Sequence, residues 1–186
     1  MLTKFDFKNL LIKTNRLTIR PYQITDVDDI YEVVKEPSFY DFIPESPPSI
    51  KQVEGIVKWS IDCNEKNTLE NILKLNLGIV HKDENCLIGY CGLGPFDLDT
   101  SKIELYYGIR KDFRGRGLAT EAALSLIDFG FDTLNLNEIV TTVFPQNISS
   151  VKVLEKIGMK RQYSIVSPPD DFKEFDGMDF YSIHKM

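Results

Sequence analysis

Arg114-Gly115-Arg116-Gly117-Leu118-Ala119 is the stretch from which the rest of this chain can be read. Behind it, Ile103 to Ile109 reads as a strand; ahead of it, Leu118, Ala122, Ala123, Leu126, Ile127 and Phe129 recur at helical spacing. A glycine-rich turn feeding a helix leaves the first backbone N–H groups without intrahelical partners and pointing at one spot, which attracts an anion. Gly115 and Gly117 let the backbone approach a phosphate, and Arg114 and Arg116 add charge there, so a pyrophosphate fits. The same spacing also serves an ordinary tight strand-to-helix turn. No G-x-x-x-x-G-K-[ST] occurs, which disfavours a P-loop nucleotide hydrolase. Gly89-Tyr90-Cys91-Gly92-Leu93-Gly94 reverses the G-x-G-x-x-G spacing and no helix follows, so it reads as a strand that a backbone or ligand approaches closely.

Working outward, Arg16 to Arg20 alternates as a first strand, and Thr25 opens a helix whose N-terminal end suits Asp26, Asp28 and Asp29. Residues 36–48 carry Pro37, Pro44, Pro47 and Pro48 with Phe39, Tyr40 and Phe42 between them, a structured loop that either lines a pocket or packs over the core. Ser49 and Gln52 form a capping box for a helix over 49–65 with Val53, Ile56, Val57 and Ile61 on its apolar face and Trp59 in core contact. Leu73 to Ile79 and Cys86 to Cys91 flank a polar turn as a β-hairpin. Glu138 to Val143 reads as a strand and Asn147 to Ile157 as a helix closed by Gly158, with two more strands around Tyr163 and Phe180. The sum is an α/β chain with a mixed sheet, one domain over residues 1–186 with no repeat or linker.

A length of 186 residues at 42% hydrophobic composition supports one sizeable core. Twenty-eight acidic against 22 basic residues give a net charge of −6, which disfavours direct contact with nucleic acid or an anionic membrane. Cys63, Cys86 and Cys91 form no metal-binding spacing, so reduced structural thiols and no metal are expected. His81 and His184 sit where solvated or structural roles prevail. No apolar run has the length of a signal peptide or a membrane span, which predicts a cytoplasmic protein; separately, a monomer or homodimer is expected.

Arg114 to Ala119 fits the R/Q-x-x-G-x-G/A loop of the GNAT acetyltransferase superfamily at every fixed position, and Thr120-Glu121-Ala122 resembles its ribosomal-protein alanine N-acetyltransferase subgroup. The resemblance extends to Glu104 through Ile109, to Asn147-Ile148-Ser149-Ser150 with Leu154 to Met159, and to the opening Thr14 to Pro21; Met159 replaces the usual Phe. It implies a mostly antiparallel central sheet with helices on both faces, and acetyl-coenzyme A (acetyl-CoA) as cosubstrate.

The resemblance also assigns roles. Amides of Arg114, Gly115, Arg116, Gly117, Leu118, Ala119 and Thr120 would bind the coenzyme pyrophosphate. The backbone of Tyr107, Gly108 and Ile109 would pair with the pantetheine arm and stabilise the oxyanion. Asn147 and Ser150 match the polar pair that contacts that arm. Ser150 is the candidate acid for the leaving thiolate, because the tyrosine many relatives use is here Leu154. Asn147 and a nearby serine also suit a plain helix cap. Glu104 is the candidate base, though a mid-strand glutamate also suits a solvated face. Asp170, Asp171 and Glu174 stand near a tail glutamate of the subgroup, in a segment that departs from it by Pro168-Pro169 and also reads as a solvated acidic loop.

The function implied is acetyl transfer to a primary amine, either a protein N-terminal α-amine or a small amine. The alternative is a domain that senses acetyl-CoA without chemistry.

Overall fold

The computed structural model describes residues 5–42 and 45–185; Ile43 and Pro44 of the proline-rich loop lie outside them. Eight strands form one sheet: β1 Ile12–Lys13, β2 Leu17–Pro21, β3 Leu75–His81, β4 Cys86–Phe96, β5 Asp99–Ile109, β6 Glu138–Val143, β7 Lys160–Ser164 and β8 Asp179–His184, in the spatial order β1-β2-β3-β4-β5-β6-β8-β7. Every neighbouring pair is antiparallel except β5 and β6, which run parallel. The helices are α1 Val27–Val34, α2 Ile50–Lys66, α3 Leu118–Asp132 and α4 Ile148–Lys156.

Strand alternation sorts the side chains into two faces. Leu75, Leu77, Leu93 and Leu105, all fully buried, meet Ala122, Ala123 and Leu126 of α3 and Leu154 of α4 in the main core. On the opposite face α1 and α2 bring Ile30, Val33, Val53 and Val57 against Tyr22 and Leu87. A third cluster, Phe96, Val140, Ile165, Phe175 and Phe180, fills the space toward the sheet's far edge. The expected helices on both faces of a mostly antiparallel sheet are thus present. Among the described residues no helix is long and apolar enough to cross a membrane.

Ser49 accepts from the Gln52 amide while Gln52 Oε1 accepts from the Ser49 amide at 2.8 Å, which is the expected capping box of α2. Trp59 corrects the reading of that helix. Val53 and Val57 are fully buried, but Trp59 is 50% and Ile56 46% exposed. At about 100° per residue, position 59 lies roughly 120° round the helix from position 53, outside the buried stripe. Strands β4 and β5 are also longer than their alternation suggested, because a tight Phe96-to-Asp99 connection joins them into a second hairpin.

Candidate active site

The sheet is split at its centre. Strands β5 and β6 share a single register pair, Glu104 with Val140, whereas β4 and β5 are paired from Gly89–Ile109 to Phe96–Asp99. From Leu105 to Ile109, β5 therefore has no ladder partner on its β6 side among the described residues. Unpaired strand backbone inside a fold requires a partner, and an extended chain of amides supplies one. Tyr107, Gly108 and Ile109 lie on this edge.

The split strand runs into the glycine loop. A short 3-10 helix, Lys111–Phe113, turns the chain, and Gly115 and Gly117 then take φ of 75° and 76°, a left-handed backbone that suits glycine. Gly117 is the N-cap of α3. The N–H groups of Gly115 through Thr120 make no hydrogen bond among the described residues, and a Cβ on Gly115 would meet nothing within 4 Å. A row of free amides at a 15-residue helix's N-terminus fits a pyrophosphate. Both arginine side chains are tied to backbone carbonyls at the loop. Arg114 Nε donates to the Ile109 carbonyl at 2.8 Å, and Arg116 Nη2 donates to the Asp112 carbonyl at 2.7 Å. Arg114 also lies over the Phe39 ring, and Arg116 over that of Phe113.

Helix α4 borders the split from the other side. Asn147 Oδ1 accepts from the Ser150 amide at 3.2 Å, so Asn147 is its N-cap. Ser150 is half-buried, and its hydroxyl makes no hydrogen bond among the described residues. Its carbonyl accepts from Tyr107 Oη at 3.4 Å, which brings the end of β5 and the start of α4 together. Leu154 is buried in the main core.

Glu104 stands at the point of the split, on the same face as Tyr106 and Gly108 and opposite Gly94. It is half-buried rather than solvated. Burial pushes its carboxyl up to about 7, opposed by the nearby Lys74 ammonium and assisted by Asp97. Thr142 Oγ1 of β6 donates to it at a long 3.4 Å. Lys74 was not singled out in the sequence; its ammonium lies 4.4 Å from the centre of the Tyr106 ring. This layer needs glycine at position 92, where a Cβ would come within 2.1 Å of Tyr106 Oη and 2.4 Å of the Leu75 carbonyl; a Cβ on Gly94 would displace the Lys74 side chain, whose Cδ lies 2.6 Å away. The close approach expected along residues 89–94 is thus by neighbouring side chains and strands.

On the same face α1, α2 and the proline-rich loop enclose a cavity of about 870 Å³ lined by Tyr22, Phe39, Tyr40, Tyr90, Glu45 and Asn76, among others. Asn76 Oδ1 accepts from Tyr106 Oη at 2.7 Å, which links the cavity wall to the strand of Glu104. Phe39 and Tyr40 therefore line a pocket, one of the two roles their loop allowed. Asp170, Asp171 and Glu174 are exposed on a short 3-10 helix, Asp170–Phe175, whose Phe175 is buried near Val140.

A sheet split beside a helix-start amide cradle, with a carboxyl at the split, is the architecture of an acyltransferase that takes a pyrophosphate-bearing donor. A family model described as acetyltransferase (GNAT) domain matches residues 16–160, and the chain belongs to this family. It is 30% identical over 151 residues to an uncharacterized N-acetyltransferase, YnaD, of Bacillus subtilis (strain 168), covering 81% of this chain and 83% of that one. Its fold matches a ribosomal-protein-S5-alanine acetyltransferase from Vibrio fischeri (TM-score 0.72, 16% identity, 95% and 97% of the two chains). It matches equally a spermidine N-acetyltransferase from Vibrio cholerae solved with CoA and spermine (TM-score 0.73, 19% identity, 92% and 96%). The protein is an acetyl-CoA-dependent N-acetyltransferase.

Proposed function

We propose that the chain acetylates a primary amine that enters through the aromatic cavity, by direct attack on acetyl-CoA held in the split between β5 and β6. The observation that carries this reading is the single Glu104–Val140 pair, which leaves the β5 edge without a partner strand where it runs into the glycine loop. The Arg114 amide, expected to join the cradle, instead donates to the Lys111 carbonyl at 3.2 Å, so amides of residues 115–120 take the pyrophosphate, and the Tyr107 to Ile109 backbone pairs with the pantetheine arm and donates to the developing oxyanion. Asn147 and Ser150 flank that arm.

Glu104, held near neutrality, accepts the proton the amine must lose, since an ammonium of pKa ~10 has no lone pair to attack with. The new N–C bond replaces the C–S bond, the thiolate leaves with a proton from Ser150, and Ser150 regains one through solvent from the attacking nitrogen, which sheds its second proton on becoming an amide. The free Ser150 hydroxyl and the capping by Asn147 support this division of roles.

The acceptor is the α-amine of a protein N-terminus or a small amine. The cavity's volume lies in the range of small-molecule sites and also admits the first residues of a peptide. Thiol release from acetyl-CoA, with the acetylated product identified by mass, is the test across N-terminal peptides, polyamines and aminoglycosides. Turnover with one class fixes the acceptor; coenzyme binding without turnover on any of them contradicts the reading and favours a sensor.

A further inference from the structure

We infer that Arg16 is a positioning residue for the pyrophosphate loop, holding it in its anion-binding form from the opposite end of the sequence. This rests on the proposed role of that loop.

Arg16 leads into β2, in the turn after β1, and its guanidinium faces two ways. Nε donates to Glu121 Oε2 at 2.7 Å, with Nη2 at 2.7 Å from the same oxygen. Nη1 donates to the Arg116 carbonyl at 2.9 Å, between the two left-handed glycines. Glu121 sits in the first turn of α3, where its amide bonds the Gly117 carbonyl at 3.1 Å. Its Oε1 accepts twice more from the same turn, from the Arg16 amide at 2.8 Å and Thr14 Oγ1 at 2.6 Å. One rigid, planar cation thus ties the loop's carbonyl and the first turn of α3 to the start of β2.

The geometry has a consequence for binding. With a carbonyl of the loop held on Arg16, two left-handed glycines with open space around Gly115 lose conformations they would otherwise sample. A preorganised cradle spends less of its interaction energy on ordering. Arg16 is not needed to touch the coenzyme: its donors are already engaged by Glu121 and Arg116. Lysine cannot replace it, because a single ammonium does not span both partners.

The test is titration of CoA and of pantetheine, which lacks the pyrophosphate, followed by NMR in the full chain, its Arg16→Ala and its Arg16→Lys variants. Wild type should bind CoA more tightly than pantetheine. Both variants should lose roughly tenfold in CoA affinity, as expected for charge-assisted bonds, with pantetheine affinity unchanged. If wild type does not prefer CoA, the loop's pyrophosphate role fails, and the positioning role with it. If it does but a folded Arg16→Ala variant keeps full CoA affinity, or loses CoA and pantetheine equally, the positioning role alone is overturned.

Discussion

Glu104 pairs with Val140 as the one rung joining β5 to β6, so the carboxyl of β5 stands where two strands part. Position explains its burial: a carboxyl in that notch loses water on one side.

Its titration gives the first prediction. With the folded-state value near 7 and the ordinary value 4.5, the base form appears as pH rises through 7, and kcat/KM should climb over that interval. Glu104→Gln should remove this limb and lower kcat by about 10² or more, leaving only the limb of the amine itself. A pH–rate profile of both proteins checks it.

The same shift makes a stability prediction of opposite sign to the usual carboxylate. The folded state holds the proton more tightly than the unfolded chain, so this contribution is fully present below about pH 4.5 and lost as pH rises through 7. Glu104→Gln should therefore raise the melting temperature relative to wild type at pH 8 and not at pH 4.5. The gain is bounded at roughly 3 kcal/mol by the size of the shift.

Lys74 should act on this limb from a distance. Its ammonium holds the Glu104 carboxyl down against burial, so Lys74→Met should move the limb to higher pH. The shift should disappear in a Glu104→Gln background, which double-mutant pH profiles would reveal.

Asn147 and Ser150 should separate by experiment. Asn147 caps α4, so Asn147→Ala should cost about 1 kcal/mol in thermal or denaturant unfolding. The Ser150 hydroxyl holds nothing in place, so Ser150→Ala should leave stability unchanged and reduce kcat by about 10²-fold.

How far the sequence spoke for itself follows from which signals are local. The glycine loop and the capping box at Ser49 are written within a few neighbouring residues and lie where expected, and the strand periodicities found the places of β2 through β8 but not the full length of β4 and β5. Trp59 was misplaced because an apolar residue on a helix advertises hydrophobicity, not the azimuth of the buried stripe. Arg16 and Glu121 were both visible in motifs, but nothing local joins residues 105 positions apart. Lys74 has no motif at all; its role comes from a ladder in which Gly94 lies opposite Glu104 and so leaves room for it.

The most direct measurement is a crystal structure with CoA bound, compared with the Gly117→Arg variant under the same conditions. The account predicts the pyrophosphate on the amides between Gly115 and Thr120 and the pantetheine arm alongside Tyr107 to Ile109. It also predicts no coenzyme in the variant, where a side chain at a φ of 76° obstructs and strains the loop. Coenzyme lying outside the split, or bound unchanged by a folded Gly117→Arg protein, would contradict it.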